Sequence, residues 1–319
     1  MKLSAQPVGS KREEIVMNNE KENGKHHGSV AVLGAGKMGS SLLTAIGKSA
    51  HFGDVRATVK HSHRAAMVSQ QLGIKVTTGN SDAVRGAALV LLCVKPLYVQ
   101  AVLQEIRSDL RDDVLLISIA SAVSTQAIEA ALGRRLAVVR AMPNTACRIG
   151  QGMTALCAGR FANEEHLAQA ARLFGLMGRT AEVEESMMDA VTGLSASGPA
   201  FIFTIVEALA EGGVRVGLPR DLATTLAAQA TLGAAAMVLE TGLHPAILKS
   251  EVTTPGGCTV EGLLELETGS IRATLIRAID TTTRKASTLA RPAANSGKAL
   301  DAWPSPDAAR VPENDDRPV

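Results

Sequence analysis

Ser29-Val30-Ala31-Val32-Leu33-Gly34-Ala35-Gly36-Lys37-Met38-Gly39-Ser40-Ser41-Leu42-Leu43 is the stretch on which the architecture turns. Val30 to Leu33 form an uninterrupted apolar run of strand length, and Leu42, Leu43 and Ile46 fall on one face of a helix. Between them stand Gly34, Gly36 and Gly39. In a strand-turn-helix unit the first glycine makes the tight turn, the second lets backbone approach a pyrophosphate, and the third lets the helix pack on the strand. Amides at the helix start then face an anion. The same spacing also occurs in purely structural turns, so its surroundings decide.

Downstream, residues 55–59 read as a strand, 64–72 as a helix and 74–78 as a short strand. Residues 88–94 and 114–119 read as fully buried strands, with helical segments at 98–106 and 125–132 and two more strands at 136–140 and 153–157. This alternation predicts a parallel sheet covered on both faces. From about Glu185 the strand pattern stops. Residues 199–216, 219–240, 244–251, 260–267 and 271–289 read as helices, two of them with a proline near the start, where a missing N–H costs nothing. The domains expected are therefore 29–184, which binds a dinucleotide, and 185–290, a helical bundle. Its alanine-rich helices suit close pairing with a second copy. Residues 1–28 and 291–319 read as disordered tails, the latter carrying Pro292, Pro304, Pro306, Pro312 and Pro318.

Composition excludes several classes. Of 319 residues, 33 are Lys or Arg and 31 Asp or Glu, a net charge of +2, which argues against a protein that neutralises nucleic-acid phosphates. One Trp, one Tyr and five Phe are too few for base-stacking platforms. Cys93, Cys147, Cys157 and Cys258 show no metal-ligand spacing, and His26 and His27 make no metal site by themselves, so a reduced, cytoplasmic setting without a metal is expected. No run of eighteen uninterrupted apolar residues occurs, and Glu13, Glu14, Glu20 and Glu22 spoil the N-terminus as a transit peptide. The reading is neither membrane nor secretion.

The end of the second strand selects the dinucleotide. An NAD enzyme usually places Asp or Glu there for the ribose hydroxyls; this chain has Val59-Lys60-His61-Ser62-His63-Arg64. Ser62 and Arg64, with Lys60, suit a 2′-phosphate, so NADPH is expected, with NADH as the alternative donor and an ordinary solvated basic loop as the plainer reading. Val94-Lys95-Pro96, Ala120-Ser121-Ala122 and Met142-Pro143-Asn144-Thr145 follow other strands at the same carboxyl edge.

The second signature is Val252-Thr253-Thr254-Pro255-Gly256-Gly257-Cys258-Thr259. Two glycines and two threonines ahead of a helix make a nest for a small carboxylate, though Pro-Gly-Gly is equally good turn chemistry between helices. Thr192-Gly193-Leu194-Ser195-Ala196-Ser197-Gly198-Pro199 reads as another hydroxyl-rich helix entrance with the same ambiguity. Cys258 reads as a small filler, not a nucleophile.

On these motifs, and on Ala190-Val191 leading into the Thr192 segment, residues 29–290 resemble the pyrroline-5-carboxylate reductase family. The resemblance implies a Rossmann-type parallel-sheet domain followed by an all-α dimerisation and substrate domain. It implies hydride transfer from NAD(P)H to 1-pyrroline-5-carboxylate, giving L-proline in the last step of proline biosynthesis. It also implies a domain-swapped homodimer that often assembles into pentamers of dimers. By motif match, Thr254, Gly257 and Cys258 would meet the substrate carboxylate and the Thr259 hydroxyl the ring nitrogen, with Glu185 a further substrate contact. Gly34, Ala35, Gly36, Lys37, Met38, Gly39, Asn80, Val94, Lys95, Pro96 and Ala120 would hold the cofactor, beside Ser62 and Arg64. Three positions depart from the family pattern: Ser121 and Ala122 stand where an alanine and a glycine are usual, and Phe201 where a tyrosine is.

Two other readings compete. A 3-hydroxyacid dehydrogenase would need a lysine one turn into the first long helix, and Pro199-Ala200-Phe201-Ile202-Phe203-Thr204 has none. A non-catalytic dinucleotide-responsive protein would use the threonine-glycine loop only as a turn.

Overall fold

Short apolar runs buried on both faces have one stable arrangement, a sheet between two layers of helix. In the computed structural model, which describes residues 28–49 and 52–290, eight strands form that sheet. They are β1 (Val30–Leu33), β2 (Val55–Thr58), β3 (Lys75–Thr77), β4 (Leu89–Leu92), β5 (Leu115–Ser118), β6 (Ala137–Pro143), β7 (Gly152–Ala158) and β8 (Gly178–Glu182). Their order is β3-β2-β1-β4-β5-β6-β7-β8. The chain thus reverses direction of travel across the sheet between β1 and β4. The expected tails, with His26 and His27, lie outside the described residues except for Gly28.

The sheet is not wholly parallel. β6 and β7 pair antiparallel, Ala141 opposite Leu156, while the other neighbours are parallel. The reason lies in the connection: β6 turns through a 3-10 segment, Thr145–Ile149, directly into β7. A link this short cannot carry the chain back for a parallel return.

Helices α1 (Lys37–Gly47), α2 (Ser62–Leu72), α3 (Asn80–Val84), α4 (Pro96–Ile106), α5 (Thr125–Leu132) and α6 (Glu164–Gly175) cover the sheet. Leu42, Leu43 and Ile46 of α1 and Phe174 of α6 fill one face, and Val99, Leu103 and Ile106 of α4 with Ile128 of α5 the other. Each of these buried side chains contributes about 1.5–3 kcal/mol. α6 and β8 are not foreseen by the periodicity above. A local signal for α6 exists: the Asn163 side chain accepts the His166 amide at 3.0 Å while His166 Nδ1 accepts the Asn163 amide at 3.1 Å, a capping box with histidine in place of the usual Glu or Gln.

Beyond β8 the described chain is helical: α7 (Met188–Val191), α8 (Gly198–Arg215), α9 (Arg220–Thr241), α10 (Pro245–Glu251), α11 (Cys258–Thr268) and α12 (Ile271–Ala290). The Thr192 segment is not the helix entrance expected from its hydroxyls. It is a π turn, Thr192–Ala196, lying between α7 and α8, and the Ser197 amide reaches back five residues to the Thr192 carbonyl at 3.1 Å. Gly193 is required there, because a side chain would overlap the Thr283 hydroxyl and meet the Ile279 carbonyl of α12 at 3.1 Å.

α8 and α9 pack against one another through Ala210, Ala223 and Ala227, and Gly213 sits against Ala223. Their other faces are open. Phe203 is 68% exposed and Leu232 60%, and Ile276 of α12 68%, far beyond what scattered surface hydrophobes explain. Two stretches, Glu185–Arg215 and Arg220–Thr241, are long and apolar enough to cross a membrane by length and composition, yet only 11% of the most apolar window in each is buried within the chain. A surface of this kind needs a partner.

Candidate active site

The glycine turn lies at the carboxyl end of β1, where β2 and β4 flank it. Gly34 has φ +98°, and a side chain on it would come within 2.8 Å of the Cys93 carbonyl. On Gly39 a side chain would overlap the Gly34 carbonyl. Gly36 is different, since a Cβ there meets nothing within 4 Å. The first and third glycines are thus demanded by packing, and the second faces open space beside the uncapped first turn of α1, which carries Lys37 and Met38 and no acidic residue. Such a cradle fits a dinucleotide pyrophosphate.

Behind the turn runs a polar chain. Gly34 and Ala35 donate their amides to the Thr58 carbonyl at 3.2 and 2.7 Å, and the Thr58 hydroxyl donates to Asn80 Oδ1 at 2.8 Å. Asn80 Nδ2 donates in turn to Glu105 at 2.8 Å. Asn80 therefore braces β2 and the turn, through Thr58 and Glu105, two residues that sequence reasoning missed. A threonine at the end of β2, where a carboxylate is usual, is the signal that could have found the first.

Ser62 and Arg64 lie in the first turn of α2, which has no side-chain cap, and both are exposed. Val94, Lys95 and Pro96 lead from β4 into α4, with Val94 packed over Gly34. Ala120 is buried after β5, its amide donated to the Ser118 hydroxyl at 3.3 Å. All share one sheet edge. Ala122 in the same loop has φ +60°, a conformation that explains why a glycine suits this position.

Glu185 sits at the junction with the helical half. One carboxylate oxygen takes Nη1 of buried Arg140; the other takes the Thr125 hydroxyl at 2.8 Å and amide at 3.2 Å. The Cys157 thiol lies 3.6 Å from it. Burial pushes the Glu185 carboxyl up, but the bonds from Thr125 and Arg140 outweigh it and hold the carboxyl below its ordinary range. Burial, reinforced by this carboxylate, pushes the Cys157 thiol up to about 12, and burial alone does the same to Cys93. Neither is a nucleophile. Arg140 and Thr125 were also missed, since nothing in their local sequence announces them.

The Thr254 loop joins α10 to α11. Gly257 donates its amide to the Thr254 carbonyl at 3.0 Å, Gly256 has φ +68°, and Gly257 caps α11 with no side-chain bond to the free first-turn amides. The segment is at once a tight turn and an open nest. Thr254, Cys258 and Thr259 stand at the surface of the chain, and α11 packs on α12. Within one chain the structure thus gathers the residues expected to hold a nucleotide at the sheet edge and leaves this loop facing solvent.

A family profile described as pyrroline-5-carboxylate reductase dimerisation matches residues 185–289, and one described as NADP oxidoreductase, coenzyme F420-dependent, matches residues 29–122. The pyrroline-5-carboxylate reductase of Arabidopsis thaliana is 41% identical over 252 residues, 78% of this chain and 91% of the plant protein. The chain belongs to the pyrroline-5-carboxylate reductase family. The pyrroline-5-carboxylate reductase of Methanosarcina acetivorans is likewise 41% identical over 252 residues, 78% of this chain and 93% of the archaeal protein. Among solved structures, a pyrroline-5-carboxylate reductase from Coxiella burnetii superposes with a TM-score of 0.77 at 31% identity, covering 82% of this chain and 98% of that one. The enzyme of Plasmodium falciparum, solved with NADP bound, gives 0.76 at 27% identity over 84% of this chain and 100% of that one. Membership in the pyrroline-5-carboxylate reductase family removes the 3-hydroxyacid dehydrogenase reading, in agreement with the missing lysine in α8.

Proposed function

We infer that this chain reduces 1-pyrroline-5-carboxylate to L-proline with NADPH, the closing step of proline biosynthesis, and that the Thr254 to Thr259 loop is where the substrate is held. The observation that carries the reading is the pairing of two unlike anion cradles in one chain, the glycine turn at the sheet edge and the open nest ahead of α11. The first suits a pyrophosphate. The second suits a single small carboxylate, with the Gly257 and Cys258 amides and the Thr254 hydroxyl as donors.

When bound, NADPH supplies a hydride for the imine carbon. The protein's share is orientation and protonation state. A cyclic imine accepts hydride best with its nitrogen protonated, and the Thr259 hydroxyl, one residue beyond the nest, accepts the hydrogen bond of that N–H. Thr259 is too weak an acid to supply the proton itself, so its task is to hold the protonated ring. Holding two reactants in line supplies on the order of 7–11 kcal/mol of the barrier reduction. Lys37, Met38 and the glycine amides would hold the pyrophosphate and Ser62 and Arg64 the 2′-phosphate, while Val94, Lys95, Pro96 and Ala120, at the same sheet edge, would meet the rest of the cofactor. Glu185, held in place by Arg140 and Thr125 and 34% exposed, is a further substrate contact.

The working unit is a homodimer formed through residues 185–290, with 29–184 as the nucleotide domain, and five dimers join in the larger assembly. The exposed apolar faces of α8, α9 and α12 support the pairing. The solvent-facing Thr254 loop supports a site completed in trans, the nest of one protomer serving its partner's nucleotide domain. The second copy, rather than lipid, covers α8 and α9, and the enzyme works in the cytoplasm.

The test mixes purified chain, NADPH and 1-pyrroline-5-carboxylate and follows NADPH absorbance, with the six-membered homologue in parallel. Oxidation that depends on the imine is expected. NADPH binding without turnover would instead leave a dinucleotide-responsive binding protein.

A further inference from the structure

Lys60 and Tyr98 meet across the mouth of the dinucleotide crevice. Lys60 stands two residues past β2, and Thr58, the last residue of β2, accepts the Ala35 amide at 2.7 Å, so Lys60 is fastened beside the glycine turn. Tyr98 lies in the first turn of α4, reached from β4 on the other side of β1. The Lys60 ammonium donates to the Tyr98 hydroxyl at 3.1 Å and stands 4.7 Å from the ring centroid. A lysine at an exposed strand end ordinarily samples many rotamers. Here a hydrogen bond and a cation–π contact hold it over the crevice.

The chemistry around it has one sign. From Val59 to Arg64 no carboxylate is present to accept a ribose 2′-hydroxyl, while Lys60, Ser62, Arg64 and the uncapped first-turn amides of α2 are all donors. We propose that Lys60, held ready by Tyr98, joins Ser62 and Arg64 in selecting the 2′-phosphate of NADPH over the 2′-hydroxyl of NADH. The inference rests on the reading of this crevice as an NADPH site. A phosphate dianion is a far better partner for an ammonium than a phenol is, so the bound 2′-phosphate draws Lys60 off Tyr98. In the free protein the Lys60 hydrogen bond and charge hold the Tyr98 hydroxyl below its ordinary range, with Lys95 adding a smaller push the same way. His61, His63 and Arg64 belong to the same neighbourhood.

Tyr98 is the only tyrosine in the chain, which makes the latch directly readable. Calorimetric titration of the full chain uses 2′,5′-ADP and 5′-ADP as probes, and the wild type is expected to prefer the former. Lys60→Met is expected to weaken 2′,5′-ADP by about tenfold while 5′-ADP stays within about twofold, and Lys60→Arg to keep most of the preference. On the wild type itself, saturation with 2′,5′-ADP is expected to raise the pH midpoint of tyrosinate absorbance, and 5′-ADP to leave it in place. Equal losses for both probes in Lys60→Met, or a preference that survives it, overturn the role of Lys60 alone. So does a tyrosine midpoint that 2′,5′-ADP does not move. A wild type without any preference overturns the NADPH reading as well.

Discussion

Arg140 Nη1 donates to Glu185 Oε1, tying the centre of β6 to the first turn beyond the sheet. The arginine side chain is 4% exposed, its partner 34%, and Arg140 Nε and Nη2 have no hydrogen-bond partner among the described residues. Glu185 is thus the anion that keeps this guanidinium tolerable in the interior. Breaking such a pair from one side leaves a buried charge uncompensated. Glu185→Ala is expected to lower stability by about 3 kcal/mol, read from the urea midpoint at unchanged slope. The double variant Arg140→Met with Glu185→Leu is expected to lose less than Glu185→Ala alone.

The same pair sets an acid limb. Because the folded-state carboxyl of Glu185 lies below its unfolded value, the protonated form is the less stable one in the native protein, and the stabilisation is fully present above the unfolded pKa. It is lost as pH falls from there through the lower folded value. Stability measured downward from about pH 5 should therefore drop more steeply in the wild type than in Glu185→Gln.

The second and third glycines of the turn should separate binding from folding. Gly36→Ala adds a methyl where nothing lies within 4 Å, so the melting curve is expected to stay in place while NADPH affinity falls by about tenfold or more. Gly39→Ala drives a methyl into the Gly34 carbonyl and is expected to lower both. Fluorescence titration with NADPH beside thermal melts distinguishes them.

Ala122 carries φ +60° without the freedom of glycine. Ala122→Gly is expected to gain about 0.5–1 kcal/mol, the relief of left-handed strain less the added unfolded-chain entropy. Ala122→Val is expected to lose more than that. Urea denaturation of the three proteins gives the order.

A site completed in trans predicts recovery from two defective chains. Gly36→Ala weakens the nucleotide end and Thr259→Ala the substrate end; Thr259 is exposed, so its loss should leave folding intact and lower kcat/KM by about tenfold or more. Co-expressed, the pair should form heterodimers with one intact site in two, restoring about a quarter of wild-type activity. If the loop serves its own chain, the mixture stays at the level of its parents.

Much of the architecture is legible in consecutive residues. The glycine spacing, the buried strand runs and the proline-initiated helices all report short-range constraints, and each depends on neighbours within about one turn or one strand. The antiparallel course of β7 is not legible in that way, because pairing direction is set by how β6 turns through Thr145–Ile149 and not by strand composition. Nor is the π turn at Thr192–Ala196, which exists because Gly193 lets α12 approach its backbone.

The order of elements, the glycine turn and the threonine-glycine loop thus belong to the amino-acid sequence, since each is written in adjacent positions. Tertiary packing settles the pairs that lie far apart in the chain: Arg140 with Glu185, Thr58 with Asn80, Lys60 with Tyr98. Such contacts follow from strand order and register, and these are fixed only when the whole core packs, because burial of one strand's apolar face depends on every layer around it.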